Sequence, residues 1–503
     1  MEPIALATFI FAVILTLDIP TSSSVSPEAH SSPTNSEMSE TQAAILEEFK
    51  STSEIEKRRI AVYMAGKGAT EWLEWAIRER YIAADAKAEY TLLTAASTYG
   101  HISTVKMLLL QGADIEYKDE SIDTPLKAAA RAGQIEIVNY LLLKGADPNG
   151  EGKGGSTPLS SATYSGRMDI INTLQRYGAV IKANNARSTL VHLAAKLGHV
   201  ELIEYFVGQG VDIDQKDRDG WTALALATHT GQTESVTKLV ALKADPNIPT
   251  QRLSTPLSLA AQKGFPDIVT ILIDGNAKLD LEDEKGRSAI WWAANSSHKG
   301  IVELLHHEGA SPSSAVTRFA KNGHLQAVKI LIESGIPLNV TNEDDRTGMH
   351  IAARYGHLDI VKYYVEKGLD IRSKDVKGYT PLHRASGYGK TKVVRYLLER
   401  GSSPNWEGDP NQWTPVSLAA RYGHLEILKM LHLRGGDLNK VNYKGWTPLM
   451  LAARGGKPLV VKYLLDNDVD TSLKNINRHT AMDIASEREK KSVIELLLSL
   501  IHI

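Results

Sequence analysis

A repeat of about 33 residues runs along most of the chain, and no other feature restricts its fold as strongly. Each copy opens with a Thr or Ser that precedes a short Ala-rich stretch. The gaps between successive openings are 33, 33, 32, 33, 33, 33, 26, 33, 33, 34, 33 and 33 residues. A unit of this size cannot bury its own apolar face, so the repetition predicts a stack in which each unit covers the next. The openings are Thr91, Thr124, Thr157, Thr189, Thr222, Thr255, Ser288, Ser314, Thr347, Thr380, Thr414, Thr447 and Thr480.

The first half of each copy predicts a short helix with defined ends. Thr380 fits a helix N-cap, and Pro381 fits the first helical position, where its missing N–H costs nothing. Ala stands at the sixth place of twelve copies, with Phe319 as the exception. Gly commonly follows at the tenth place, which is typical of a helix C-terminus.

The second half of each copy predicts another helix and then a turn. One copy carries apolar residues at helical spacing, namely Ile135, Val138, Leu141 and Leu142. An Asp–Xaa–Xaa–Gly sequence, as at residues 375–378, closes several copies and predicts a projecting hairpin.

These features resemble the ankyrin repeat family. Its pattern Thr-Pro-Leu-His-Xaa-Ala-Ala-Xaa-Xaa-Gly-His is nearly complete at residues 380–390 and 414–424, and the resemblance covers about residues 89–503. The resemblance implies an all-α repeat solenoid of about thirteen ankyrin-type helix-turn-helix units with short β-hairpin fingers. It also implies a protein–protein interaction scaffold, whose hairpin tips and first helices form a concave binding surface.

Composition and motifs offer no support for an enzyme. The 503 residues contain no Cys, which excludes disulfides, thiolate zinc sites and cysteine nucleophiles. The formal net charge of −2 gives no global attraction to nucleic acid. The Gly-rich residues 150–155 lack the Gly-Lys-Ser/Thr ending of a phosphate-binding loop, and no nucleophile elbow or zinc-protease helix is present. We therefore predict no catalytic residues, no cofactor and no metal site.

The first 88 residues divide into three predicted segments before the solenoid at 89–503. Residues 4–17 form an apolar run whose length suits a secretory signal or short anchor, although no Lys or Arg precedes it. The alternatives are a buried or partner-bound helix, or an artefact of the assigned start. We thus assign 1–17 to an apolar N-terminal segment, 18–41 to a disordered Ser/Pro-rich linker and 42–88 to a helical N-terminal cap.

One gap of 26 residues, between Ser288 and Ser314, is too short to hold a hairpin. We expect one finger to be missing there, with a notch in the concave rim. Trp291 and Trp292 lie near this notch at the fourth and fifth places of their copy. Either both indoles pack into an irregular core, or Trp292 is an exposed aromatic anchor for a partner.

Candidate contact residues occur at two recurrent places. Aromatic residues precede the opening Thr, and Arg or Tyr stands at the eighth and ninth places. If they line the concave face in rows, they form a basic and aromatic groove; the alternative is that they only complete helix ends and the family consensus. With Trp292, the predicted partner-binding set is Trp221, Trp292, Arg354, Tyr355, Tyr379, Trp413, Arg421, Tyr422, Trp446 and Arg454.

The predicted function is a non-catalytic scaffold or adaptor that binds another protein, in particular an acidic or extended segment, on its concave face. We expect a monomer that does not bind nucleic acid and that contacts a membrane only if residues 4–17 act as an anchor. The expected location is cytoplasmic or nuclear. The alternative is a secreted or membrane-tethered binding protein in the secretory pathway.

Overall fold

The computed structural model describes residues 47, 49–85, 91–117, 123–152, 155–181, 189–405 and 412–499. The predicted segments 1–17 and 18–41 therefore lie outside the described residues. The chain divides into two compact units, Met1–Gln251 (unit 1) and Arg252–Ile503 (unit 2), which we describe separately.

In unit 1, two helices with described bounds precede the repeats, α1 (Glu54–Gly66) and α2 (Thr70–Arg78). The helix α1 packs against α3 and α2 packs against α4 of the first repeat. Phe49 meets Trp72 edge to face, with ring centroids 5.4 Å apart. The five helix pairs that follow are α3 (Leu92–Tyr99) and α4 (Ile102–Leu110), α5 (Pro125–Ala132) and α6 (Ile135–Leu143), α7 (Pro158–Ser165) and α8 (Met168–Arg176), α9 (Leu190–Leu197) and α10 (Val200–Gly208), and α11 (Ala223–Thr230) and α12 (Thr233–Ala241).

Unit 2 contains eight further helix pairs. They are α13 (Pro256–Lys263) and α14 (Pro266–Asp274), α15 (Ala289–Asn295) and α16 (Lys299–His307), α17 (Ser313–Asn322) and α18 (Leu325–Glu333), α19 (Gly348–Tyr355) and α20 (Leu358–Glu366), α21 (Pro381–Gly387) and α22 (Thr391–Glu399), α23 (Pro415–Tyr422) and α24 (Leu425–Leu433), α25 (Pro448–Arg454) and α26 (Pro458–Leu465), and α27 (Ala481–Glu487) and α28 (Lys491–Leu498). The described residues of the two units hold thirteen pairs, so the predicted all-α repeat architecture is confirmed.

The ends of the first helix in each pair follow directly from the sequence. In α5 the Thr124 hydroxyl accepts a hydrogen bond from the Lys127 amide, and Pro125 occupies the first turn. Gly133 ends this helix in the left-handed region with φ 77°. A residue with a side chain is strained in that conformation, which accounts for Gly at the tenth place.

A recurrent hydrogen bond ties several repeats to the repeat before them. His357 Nε2 donates to the Lys321 carbonyl at 2.8 Å, and His424 Nε2 donates to the Gly387 carbonyl at 3.2 Å. In unit 1, Arg167 donates to Gly133 O at 3.1 Å from the equivalent place. These donors satisfy carbonyls that a helix C-terminus otherwise leaves unpaired.

The fingers form as tight turns rather than as regular strands. The Asp375 amide donates to Tyr379 O at 3.0 Å, and Asp375 Oδ1 accepts from the Tyr379 amide at 3.0 Å. Among the described residues of unit 2, β-structure is limited to one isolated bridge between Thr341 and Thr347. The predicted hairpins are therefore closed turns whose arms are too short to form a ladder.

The expected missing finger is also found. The helix α16 ends at His307, and α17 begins at Ser313, one residue before Ser314, the predicted opening of that repeat. No helix of the described residues is long and apolar enough to cross a membrane.

Candidate functional site

Three histidines at the fourth place of their copies hold the next finger against the helix stack. His192 Nε2 donates to Trp221 O at 2.9 Å, His350 to Tyr379 O at 3.0 Å, and His383 to Trp413 O at 3.0 Å. Because Nε2 carries the proton, Nδ1 is an acceptor, and the hydroxyl of the opening Thr donates to it. Thr347 Oγ1 donates to His350 Nδ1 in this way at 2.8 Å. Each imidazole is thus fully engaged with structural partners.

Burial disfavours the charged form of two of these imidazoles, His192 and His350. It lowers the pKa of His350 to about 4, and the Asp375 carboxylate offsets only part of this effect. Burial also lowers the pKa of His192. Since a buried neutral ring with two partners has no capacity left for a substrate, these histidines are structural.

A lysine takes the same role in one repeat of unit 1. Lys127 is fully buried, and its ammonium donates to Ser156 Oγ at 2.8 Å in the next finger. Asp123 pairs with the same ammonium at 2.7 Å. The cation therefore replaces histidine as a link to the finger, and its burial is compensated by the carboxylate.

At the missing finger, Trp291 replaces the histidine for a physical reason. No finger carbonyl is available there for an imidazole, and the indole fills the space instead. Trp291 is 8% exposed and stacks on Phe319, with ring centroids 5.0 Å apart and planes 15° apart. Phe319 is the one large residue at the sixth place, which is Ala in the other copies. This exception is visible in the sequence, but its contact with Trp291 is not.

Trp292 differs from its neighbour. It is half-buried, its Nε1 donates to Asp283 Oδ2 at 3.3 Å, and Arg287 lies over its ring at 4.2 Å. Of the two interpretations, core packing holds for Trp291. The role of Trp292 as a partner anchor stays a prediction.

The aromatic residues that precede the opening Thr are half-buried and packed against side chains of their own repeat. In unit 2, Trp413 lies under Arg421 at 5.0 Å, and Trp446 lies under Arg454 at 5.2 Å. Tyr379 stacks on His383 at 5.4 Å with planes 9° apart. In unit 1, Trp221 meets His229 edge to face at 5.2 Å.

Exposed tyrosines alternate with cations at the C-terminal ends of the first helices in unit 2. Arg354 lies over Tyr388 at 4.5 Å and over Tyr355 at 5.6 Å, and Lys321 lies over Tyr355 at 5.7 Å. Arg421 also lies over Tyr422, at 5.3 Å. The three tyrosines remain 38%, 46% and 49% exposed in chain order, so their rings face solvent as well as the cations.

The helices that carry these side chains are direct neighbours. The helix α17 packs against α19, α19 against α21, α21 against α23 and α23 against α25. The structure therefore brings Arg354, Tyr355, Arg421, Tyr422 and Arg454 into one row within unit 2, with Tyr379, Trp413 and Trp446 beside it. We name this set, together with Lys321 and Tyr388, the arginine–tyrosine row.

The guanidinium groups of the row have aromatic partners but no acidic ones. Among the described residues, no carboxylate lies within ion-pair distance of Arg354, Arg421 or Arg454. By contrast, Arg384 is buried and its Nε donates to Asp375 Oδ2 at 2.8 Å. The three guanidinium groups thus form no ion pair with the described residues.

Two members of this region escaped the sequence analysis. Lys321 stands at the eighth place of its copy, the place that Arg354 and Arg421 occupy in theirs, and that shared position was the available signal. Arg384 stands at the fifth place, where most copies have an apolar or small residue, and that departure was the available signal. Its role is internal, because it forms an ion pair with Asp375 beneath Tyr379.

A family model described as ankyrin repeats (3 copies) matches residues 92–185, 180–250, 242–316, 316–407, 350–442 and 416–503. Among curated relatives, the chain is 29% identical over 157 residues to the ankyrin repeat and KH domain-containing protein mask-1 of Caenorhabditis elegans, covering 29% of this chain and 6% of that protein. It is 34% identical over 140 residues to the inactive serine/threonine-protein kinase TEX14 of Bos taurus, covering 27% of this chain and 9% of the relative.

Each of these matches thus spans less than a tenth of the relative's own length. A solved structure of the human ASB11 ankyrin repeat domain is 30% identical with a TM-score of 0.40, covering 43% of this chain and 98% of that domain. The family model covers most of the chain and agrees with the thirteen helix pairs. The chain belongs to the ankyrin repeat family.

Proposed function

We propose that this protein is a non-catalytic scaffold that binds an extended, acidic segment of another protein along the arginine–tyrosine row of unit 2. Ankyrin repeats generally mediate protein–protein interaction, and the proposal adds the surface and the chemistry of the partner. The observation that carries it is the set of three guanidinium groups, Arg354, Arg421 and Arg454, which lie over aromatic rings without a carboxylate partner in the described residues.

Stacking leaves the edges of a guanidinium available for hydrogen bonds. A cation over an aromatic face is held by the ring, while its N–H groups point outward in the plane of the guanidinium. A carboxylate can then accept two parallel hydrogen bonds, the strongest contact that arginine makes with an acidic side chain. The ring also restricts the arginine before binding, which lowers the entropy that association costs.

The experiment is charge reversal of the row in the full chain. The triple variant Arg354→Glu, Arg421→Glu and Arg454→Glu should bind a protein captured by the wild-type chain at least about 100-fold more weakly. The matched control reverses three exposed arginines outside the row, Arg372, Arg395 and Arg434. Equal affinity of the row variant and the control would contradict the proposal, provided that both give the wild-type circular dichroism spectrum.

For the N-terminal region, we propose the segments 1–17, 18–41 and 42–88 as assigned above, with the solenoid from 89 onward. The alternative function is that of a secreted or membrane-tethered binding protein, and the apolar run at residues 4–17 favours it. Asn339 of the sequon Asn339-Val340-Thr341 is exposed and would accept a glycan in the secretory pathway. Expression with a tag at each end decides between them, since a glycosylated Asn339 supports this alternative and an unmodified, uncleaved chain supports the cytosolic scaffold.

A further inference from the structure

We propose that the partner segment adopts a polyproline II conformation and carries carboxylates at its first, fourth, tenth and thirteenth residues, with a proline at the seventh. This inference rests on the proposed function and deepens it by specifying the spacing of the ligand's charges. It follows from which repeats carry a cation and from the distance between packed helices.

The eighth places of five consecutive repeats set the charge pattern. Lys321 and Arg354 occupy the first two, Gly387 the third, and Arg421 and Arg454 the last two. The five helices α17, α19, α21, α23 and α25 pack in that order, each against the next. The row therefore reads cation, cation, no charge, cation, cation, and this order is the same from either end.

The spacing of the cations matches a three-residue period. Packed helices lie about 8–10 Å apart, so equivalent side chains of neighbouring repeats have about that separation. A polyproline II segment advances about 3.1 Å per residue with three residues per turn, so every third side chain lies on one face about 9.3 Å further along. A β-strand turns alternate residues to opposite faces, and residues three apart would not face the row together.

The centre of the row is suited to proline rather than to an acid. Gly387 has no side chain, while Tyr388 and Tyr422 are 46% and 49% exposed beside it. Flat aromatic surfaces are the usual platform for the rings of a polyproline II ligand. The seventh residue of the ligand lies opposite Gly387, so an acidic side chain there would have no cation to pair with. A proline at that residue would pack on the tyrosines and favour the extended conformation before binding.

The arrangement favours a protein segment over a nucleic acid strand. The row ends at Glu487, which occupies the eighth place of the last repeat, and the chain as a whole has a formal net charge of −2. A phosphate backbone carries charge at every nucleotide and would meet the uncharged centre without compensation. Single-stranded RNA is therefore the competing ligand in the experiment.

The test uses the full chain and fluorescent thirteen-residue peptides in polarisation titrations. One peptide has Glu at positions 1, 4, 10 and 13 and Pro at 7. A second peptide has the same composition with Glu at 1, 3, 11 and 13, and a third has the four Glu residues adjacent. The first should bind at least about tenfold more tightly than either rearranged peptide, because they keep the charge but lose the register.

A gain-of-function variant tests whether the seventh residue of the ligand lies opposite Gly387. In Gly387→Arg, the added Cβ would meet Leu418 at 3.7 Å, which is ordinary contact, so the site accepts a side chain. The variant should prefer a peptide with Glu in place of Pro at position 7 by about tenfold, reversing the wild-type preference.

Each result decides the inference. Equal affinity for the three arrangements, or no reversal in Gly387→Arg, would overturn the spacing and leave the proposed function standing. Tighter binding of a thirteen-nucleotide RNA than of every peptide would replace a protein partner by a nucleic acid. A combined result would refute both the inference and the proposed function. In it, no acidic peptide binds the wild-type chain, and the triple variant Arg354→Glu, Arg421→Glu and Arg454→Glu still binds the captured protein.

Discussion

At the scale of single residues, departures from the repeat pattern occur as compensating pairs. Tyr364 is fully buried at a place where other repeats have Leu, such as Leu141 or Leu397. Its hydroxyl occupies the space that a Cβ on Gly348 would need. Gly348 stands where several other repeats have Pro. The larger residue on α20 therefore requires the smallest one on α19.

This pair predicts a rescue by double substitution. Gly348→Pro alone should lower the free energy of unfolding by about 2 kcal/mol, because the ring would overlap the Tyr364 hydroxyl. Adding Tyr364→Leu should recover most of that loss, and urea denaturation monitored by circular dichroism measures both. The control is Gly300→Ala, since a Cβ there meets nothing within 4 Å. Additive losses in the double variant would show that the two residues are not coupled.

The buried histidines predict a loss of stability in acid. The pKa of His350 is about 4 in the folded chain against an ordinary value of 6.5, so its contribution is complete above pH 6.5 and declines as the pH falls toward 4. In that interval the unfolded chain binds a proton that the folded chain does not. By this linkage His350 should cost about 2 kcal/mol of stability near pH 5.

Chemical denaturation between pH 7.5 and pH 5 measures this effect in wild type and in His350→Gln. The variant is expected to be less stable at neutral pH, because Tyr379 O and Ser373 O lose their donor. Its stability should nevertheless depend less steeply on pH. Parallel pH profiles for the two proteins would be inconsistent with a neutral, buried His350.

At the scale of elements, the missing finger shows how one deletion changes the chemistry of its surroundings. Where a finger follows, the fourth-place side chain of the repeats at Thr189, Thr347 and Thr380 is a histidine that hydrogen-bonds to a finger carbonyl. Where the finger is absent, Trp291 and Phe319 form an aromatic stack instead. The polar link is thus replaced by apolar burial.

Restoring the usual histidine at this element should therefore be harmful. Trp291 Nε1 is already buried without a hydrogen-bond partner, so the main cost of Trp291→His would be the cavity left beside Phe319. We expect a loss of about 3 kcal/mol in thermal or urea unfolding. Replacing the neighbouring Trp292 by Phe is the control, since its indole is only half-buried. A Trp291→His chain as stable as wild type would exclude this explanation.

Much of each element could be predicted from the sequence because its causes are local. The opening Thr, the Pro after it and the Gly at the tenth place act within one helix, so the helix limits followed from the spacing. The pairs Trp291 with Phe319, Tyr364 with Gly348 and Arg384 with Asp375 could not be predicted. They depend on which side chains meet after packing, and no periodicity encodes those contacts.

At the scale of the whole molecule, repetition explains why a binding surface is the expected outcome. Each repeat contributes one more helix pair and one more set of equivalent surface positions. Residues at the same place in neighbouring repeats therefore form rows. The sequence predicted the rows but not the contacts that their arginine side chains make. Only the three-dimensional contacts show that Arg354, Arg421 and Arg454 stack on aromatic rings and lack acidic partners among the described residues.

The most direct measurement of the central claim is hydrogen–deuterium exchange of the full chain with and without a captured, purified partner protein. Binding along the arginine–tyrosine row predicts new protection at residues 313–322, 347–355, 379–388, 413–422 and 446–455, while α20, α22 and α24, the second helices of their pairs, stay unchanged. Protection confined to those second helices or to unit 1 would contradict the account.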